Sequence, residues 1–179
     1  MTRGTMNDWP EQLFGVLKAA GVRQVGYVPD AGHKRLIELC QADAEMRAVG
    51  LSTEEEGIGL AAGAWLGGQR SVLLMQSSGV GNCINALGMT NECRFPLLML
   101  VTMRGEQGEF NPWQVPMGQA TRPVLESMGV VVQHAATAEE VAPVADAAAR
   151  LAWGSYAAVA VLIGQRVIGI KSFQDQASR

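Results

Sequence analysis

Three clusters of side chains in this 179-residue sequence have the types and spacing for chemistry. The first is Ser52-Thr53-Glu54-Glu55-Glu56-Gly57, three carboxyls ahead of a run of small residues from Gly57 to Ala64. A carboxyl aimed into a site can hold and pass a proton. The same residues also suit the start of a helix. Thr53 and Glu56 have the spacing of a capping box, and acidic groups favour the positive end of a helix. The second cluster is Gln76-Ser77-Ser78-Gly79-Val80-Gly81-Asn82. Glycines there let the backbone approach a ligand, and free N–H groups at a helix start can bind an anion. A tight strand-to-helix turn without function has the same look. The third is Met103 to Gln114, a polar stretch with Arg104, Glu106, Glu109, Trp113 and Gln114. It reads as a lid or specificity loop, or as a plain surface loop.

Other reactive residues carry less. His33, after Pro29-Asp30-Ala31-Gly32, suits an acid–base or anion contact at a strand end, and equally a surface histidine opening a helix. His134 reads as structural. No spacing pairs Cys83 with either histidine as a nucleophile. The second cluster lacks the lysine of a phosphate loop, and Ile84 stands where a dinucleotide fingerprint needs its third glycine. The four tryptophans, Trp9, Trp65, Trp113 and Trp153, are scattered as packing residues are.

These clusters need elements to hold them. Helices are expected at Trp9–Ala20, Gly32–Gln41, Thr53–Gly67, Gly79–Glu92, Met117–Met128 and Ala138–Ala152. Strands are expected at Gln24–Pro29, Met46–Leu51, Ser71–Gln76, Phe95–Thr102, Gly129–Gln133 and Ala157–Ile163. Several of the strands, such as Phe95-Pro96-Leu97-Leu98-Met99-Leu100-Val101-Thr102, are apolar without alternation. That pattern fits strands buried on both faces. It predicts an α/β fold: a doubly wound, mostly parallel six-stranded sheet with helices on both faces. Ligands then sit at the carboxyl ends of the strands, where all three clusters fall. The small-residue helix after Glu54 predicts a close-packed interface. One domain is expected over 1–179, with a core at about 10–165 and a tail at 166–179, frayed from Lys171.

Composition narrows the function. With 48% hydrophobic and 17% charged residues, the chain is globular rather than disordered. A net charge of -3 argues against a nucleic-acid footprint. No run reaches about 18 apolar residues, so no membrane span is expected. Met1 to Pro10 lacks the apolar core of a secretory signal. Three cysteines without CxxC spacing imply free thiols, no zinc site and a cytoplasmic setting.

Taken together, Thr53 to Trp65 and Gln76 to Leu87 resemble the pyrimidine-binding domain of thiamine-diphosphate enzymes. In that family a glutamate stands nine residues before the glycine of an Ala-x-Gly stretch. Counting back from Gly63 reaches Glu54, and a one-place shift would reach Glu55. Ser78-Gly79-Val80-Gly81-Asn82 is similar to the family's Ser-Gly-x-Gly loop. Val28-Pro29-Asp30, Arg104-Gly105-Glu106 and Pro116-Met117-Gly118 also fit. Within the family, the resemblance is to the alpha chains of sulfopyruvate decarboxylases, with phosphonopyruvate decarboxylases close behind.

The resemblance implies a decarboxylase of 2-oxo acids, converting sulfopyruvate to sulfoacetaldehyde and CO2. It implies that Glu54 bonds the N1′ nitrogen of the cofactor's aminopyrimidine, with Glu55 and Glu56 left to cap the helix. Pro29, Ser77, Ser78, Gly79 and Asn82 would line the cofactor. His33, Arg104 and Gln114 would meet the substrate. Phosphonopyruvate or another 2-oxo acid, carboligation, and a noncatalytic binding subunit remain open alternatives. The family holds Mg²⁺ and the diphosphate with a Gly-Asp-Gly motif, yet no Gly-Asp pair occurs in this chain. The resemblance therefore implies a beta subunit that carries the diphosphate-binding domain and the Mg²⁺, in an α2β2 or larger assembly.

Overall fold

The computed structural model describes residues 8–169. Six strands form one sheet: β1 (Val22–Tyr27), β2 (Arg47–Gly50), β3 (Arg70–Gln76), β4 (Leu97–Thr102), β5 (Val131–Ala135) and β6 (Ala158–Ile163). Their order is β2-β1-β3-β4-β6-β5, and every pairing is parallel. The helices are α1 (Trp9–Ala19), α2 (Lys34–Ala42), α3 (Glu54–Leu66), α4 (Ser77–Cys93), α5 (Val115–Ser127), α6 (Ala138–Ser155) and α7 (Gln165–Ile168).

Two cores lie on opposite faces of the sheet. Val72, Leu74, Leu98, Leu100, Val159 and Val161 pack toward α1, α2 and α6. Leu73, Met75, Leu97, Met99, Val101 and Leu162 pack toward α3, α4 and α5. Neighbouring residues of one strand point to opposite faces, so a strand covered twice must be apolar throughout. That is why the Leu-Leu-Met runs do not alternate. Each such side chain contributes on the order of 1.5–3 kcal/mol when fully buried.

The winding sets the site. Crossovers that step toward β2 run through α2 and α6 on one face. Those that step toward β5 run through α3, α4 and α5 on the other. A single hand of crossover requires this exchange of faces. The stepping direction reverses between β1 and β3, and again between β4 and β6. Such reversals open a crevice at the carboxyl ends of the strands.

The boundaries differ from the sequence expectation in instructive places. Helix α4 starts at Ser77, not Gly79, so the glycine cluster is already the first helical turn. Strand β5 starts two residues later than expected, because Gly129 takes a positive φ of 79° in the turn after α5. Helix α7 was not expected; its Gln165 and Val167 are buried. The frayed tail expected from Lys171 lies outside the described residues. No helix among the described residues is long and apolar enough to cross a membrane.

Candidate active site

The three adjacent carboxyls separate into distinct roles. Glu54, the first residue of α3, is buried, while Glu55 and Glu56 are exposed. Glu56 reaches back to accept the Ser52 amide at 2.9 Å. The Thr53 side chain makes no cap bond, so the expected capping box is corrected to a one-sided cap one residue earlier. An i to i+4 reach from Glu56 satisfies an orphan amide before the helix and leaves Glu54 free to turn inward.

Glu54 is held by the cluster that opens α4. Its Oε2 accepts from Asn82 Nδ2 at 2.7 Å. Its carboxyl lies directly on Gly79: a Cβ there would overlap Oε1 and Cδ and come within 2.6 Å of Cγ. Only glycine leaves that space. Gly57 does the same one turn further along α3, where a Cβ would overlap the Leu73 side chain. Two glycines thus let α3 settle on β3 and α4, with Glu54 at the carboxyl edge of the sheet. The first turn of α4 carries unbonded N–H groups, which favour a carboxyl nearby.

The remaining expected residues are placed unequally around this pair. Ser77 is fully buried, and its Oγ accepts the Arg104 amide at 3.0 Å. Ser78 and Pro29 are exposed at the carboxyl ends of β3 and β1. Asp30 accepts from Thr102 Oγ1 at 2.5 Å, tying the end of β1 to the end of β4. Sequence reading had given neither residue of that bond a role; the Val-Pro-Asp element was its only trace.

His33 does not join the group. It is fully buried, and its Nε2–H donates to the Leu100 carbonyl at 3.0 Å. Its Nδ1 has no hydrogen-bond partner. Burial holds the ring's pKa below its usual value; the Asp30 charge and the nearby Leu100 and Met75 carbonyls oppose that only in part.

Arg104 is spoken for within the chain. Its Nε and Nη2 both donate to the Glu109 carboxylate at 2.6 Å. Gln114 lies half-buried in the 3-10 turn Pro112–Gln114, before α5. Trp113 in the same turn is 86% exposed, against the expectation that it packs. His134 is exposed, 3.8 Å from Glu106. Cys83 is buried, and its thiol is pushed up to about 12, first by desolvation, so it is no nucleophile. The described residues include no group of three or more His, Cys, Asp or Glu that could hold a metal.

A buried carboxyl at the carboxyl ends of a parallel α/β sheet, seated on a glycine-opened helix, stands where such folds bind small molecules. The family is given by comparison. The family model for the thiamine pyrophosphate (thiamine diphosphate) enzyme, N-terminal TPP binding domain, matches residues 8–110. The alpha subunit of sulfopyruvate decarboxylase from Methanococcus maripaludis is 34% identical over 154 residues, 86% of this chain and 92% of the relative. That from Methanothermobacter thermautotrophicus is 37% identical over 124 residues, 69% of this chain and 75% of the relative. A phosphonopyruvate decarboxylase of Streptomyces viridochromogenes is 35% identical over 64% of this chain, which matches 29% of that longer protein. Among solved structures, a 2-oxoglutarate:ferredoxin oxidoreductase from Magnetococcus marinus shares the fold, with a TM-score of 0.68 at 15% identity over 94% of this chain and 31% of the other. This chain belongs to the thiamine-diphosphate enzyme family and contains its N-terminal cofactor-binding domain.

Proposed function

We propose that this chain is the pyrimidine-binding subunit of a thiamine-diphosphate-dependent 2-oxo acid decarboxylase, of the type that converts sulfopyruvate to sulfoacetaldehyde and CO2. The observation that carries the reading is the seat of Glu54: a buried carboxyl, oriented by Asn82 at 2.7 Å, on a surface that only a glycine leaves open. That arrangement fits the aminopyrimidine end of the cofactor. Glu54 would bond the ring's N1′ nitrogen and control the proton there. Asn82 would fix the carboxyl's orientation. Ser77, Ser78, Gly79 and Pro29 would form the wall beside it. When bound, the cofactor supplies the electron sink for loss of CO2.

The diphosphate end does not fit this chain. A hard cation beside phosphates needs several oxygen ligands, and the described residues bring no three of His, Cys, Asp or Glu together to hold a metal. We assign that end, with Mg²⁺, to a partner beta subunit. The name "subunit alpha" borne by the methanogen relatives supports this division. So does the outer surface of α3 and α4, where Leu66, Ile84 and Met89 are exposed and nothing lies within 4 Å of a Cβ added at Gly59 or Gly63. Apolar exposure beside open glycines suits a close helix-to-helix interface. An α2β2 complex in the cytoplasm is the simplest assembly on this reading.

The test is Glu54→Gln in the complex reconstituted with the partner. CO2 release and exchange of the cofactor's C2 proton are expected to fall by about 10²–10⁴-fold, the usual worth of a positioned proton carrier, with assembly unchanged. Undiminished decarboxylation would refute the assignment and leave a noncatalytic binding subunit.

A further inference from the structure

The most densely bonded carboxylate among the described residues lies outside the Glu54 pair. Glu109 accepts five N–H donors. Its Oε1 takes Arg104 Nη2 at 2.6 Å and the Asn111 amide at 2.9 Å. Its Oε2 takes Arg104 Nε at 2.6 Å, Gln165 Nε2 at 2.9 Å and the Gly105 amide at 3.2 Å. The Glu109 side chain is 1% exposed and that of Arg104 11%. The guanidinium also lies over the Phe110 ring, 5.9 Å from its centre. So much buried charge exceeds what a surface loop needs.

The backbone explains what it holds. Glu106 and Gln165 exchange bonds, with the Glu106 amide on Gln165 Oε1 at 2.9 Å and the Gln165 amide on Glu106 Oε2 at 2.7 Å. Gly105 has a φ of 76°, and a Cβ on it would come within 2.6 Å of the Gln114 carbonyl. A Cβ at Gly118 would overlap the Arg104 carbonyl. The Arg104–Gly105 peptide is thus clamped between α5 and the end of β6. From that position the Arg104 amide donates to Ser77 Oγ, two residues before Gly79.

We propose that the Glu109–Arg104 pair is a positioning device. It fixes the Arg104 amide on Ser77, and through Ser77 it fixes the turn of α4 on which Glu54 rests. It also withholds the Arg104 guanidinium from anionic ligands. Glu109 and Arg104 are positioning residues for the site proposed above, and the inference rests on that reading.

A double-mutant cycle tests it: Glu109→Gln, Arg104→Gln and both together, with Arg104→Lys, which keeps the charge and loses the fork. The first readout is hydrogen exchange at the Arg104 amide in the full chain without cofactor. Protection is expected to fall by about tenfold or more in Glu109→Gln and Arg104→Lys, as expected when a charged, bidentate hold is lost. The second is kcat and KM of the complex on sulfopyruvate. Each single variant is expected to lower kcat by about 10- to 100-fold, with KM within about twofold and little further loss in the double variant. A KM raised about tenfold in Arg104→Gln but not in Glu109→Gln would make Arg104 a substrate contact and overturn the proposal. So would unchanged protection with unchanged kcat. A wild-type complex that decarboxylates nothing would sink the functional reading alone; the exchange arm would still decide the clamp. Should Glu109→Gln fail to fold, Arg104→Lys carries both readouts.

Discussion

Gly79→Ala is the smallest change that strikes the proposed site. The added methyl would overlap Glu54 Oε1 and Cδ and sit 2.6 Å from Cγ. Ordinary contact needs about 3.5 Å, so the carboxyl must retreat by about 1 Å or more. The retreat breaks the 2.7 Å bond to Asn82. A displacement of that size at a reacting group costs about 10²-fold in rate. Stability moves less. Alanine in a helix gains about 1 kcal/mol over glycine, while overpacking costs about 1–3 kcal/mol. The net loss is about 0–2 kcal/mol, a drop of several degrees at most for a chain of this size. The assay pairs a thermal melt of the chain alone with kcat of the reconstituted complex. The control is Gly15→Ala in α1, where a Cβ meets nothing within 4 Å. It is expected to raise the melting point slightly and leave kcat alone. Full activity in Gly79→Ala, with an unshifted melt, would show that Glu54 does not rest on Gly79 and would refute the reasoning.

Three further outcomes follow from the same geometry. Bonding from Arg104 first, and then from the Asn111 and Gly105 amides and Gln165, holds Glu109 at a pKa of about 2, below its ordinary 4.5. The unfolded chain therefore takes up a proton first, and up to about 3 kcal/mol of stability, fully present above pH 4.5, is lost as pH falls toward 2; denaturant melts across that range should steepen in the wild type and flatten in Glu109→Gln. Buried His33 acts in a separate window: the unfolded ring protonates below 6.5 while the folded ring resists, so stability falls by up to about 1.4 kcal/mol per pH unit below that point. His33→Leu should remove this slope between pH 6.5 and 5, and an unchanged slope would count against a neutral buried ring. Gly63→Leu should leave the isolated chain folded, because its Cβ meets open space, yet weaken partner binding by about tenfold or more; partner binding that survives the leucine would place the interface elsewhere.

How much of this was legible in the sequence depended on whether a feature is local. The parallel sheet was legible because burial on both faces leaves its mark within each strand, as in Leu97 to Thr102. The Glu54 and Gly79 clusters were legible because fixed spacings carry them. His33 was not. A histidine after Asp-Ala-Gly looks exposed from its neighbours, yet it is buried and bonded to the Leu100 carbonyl, 67 residues away. The bonding of Arg104 was hidden for a related reason. Its type suggested an anion contact, but its partner is Glu109 in an aperiodic loop, and that loop is completed by Gln165, 56 residues from Glu109. In the folded chain the buried carboxylate of Glu109 compensates the arginine beside it.

That compensation bears on how the work is divided between chains. A buried charge pair costs desolvation, and fixing a conformation is one use that can offset that cost. On the proposal above it fixes the turn beside Glu54 and occupies the arginine that follows β4, one of the two central strands of the sheet. Among the described residues no group of three or more His, Cys, Asp or Glu could hold a metal ion. On the proposed function the chain would bring proton control for the cofactor's ring, and the metal anchor and the cations for an anionic substrate would come from the partner. A 2-oxo acid bearing a sulfonate needs cationic contacts, so on the proposed function the partner face carries much of the substrate's charge as well as the diphosphate. Substrate preference should then follow the partner when homologous partners are exchanged against this chain, and a preference that stays with this chain would contradict the division.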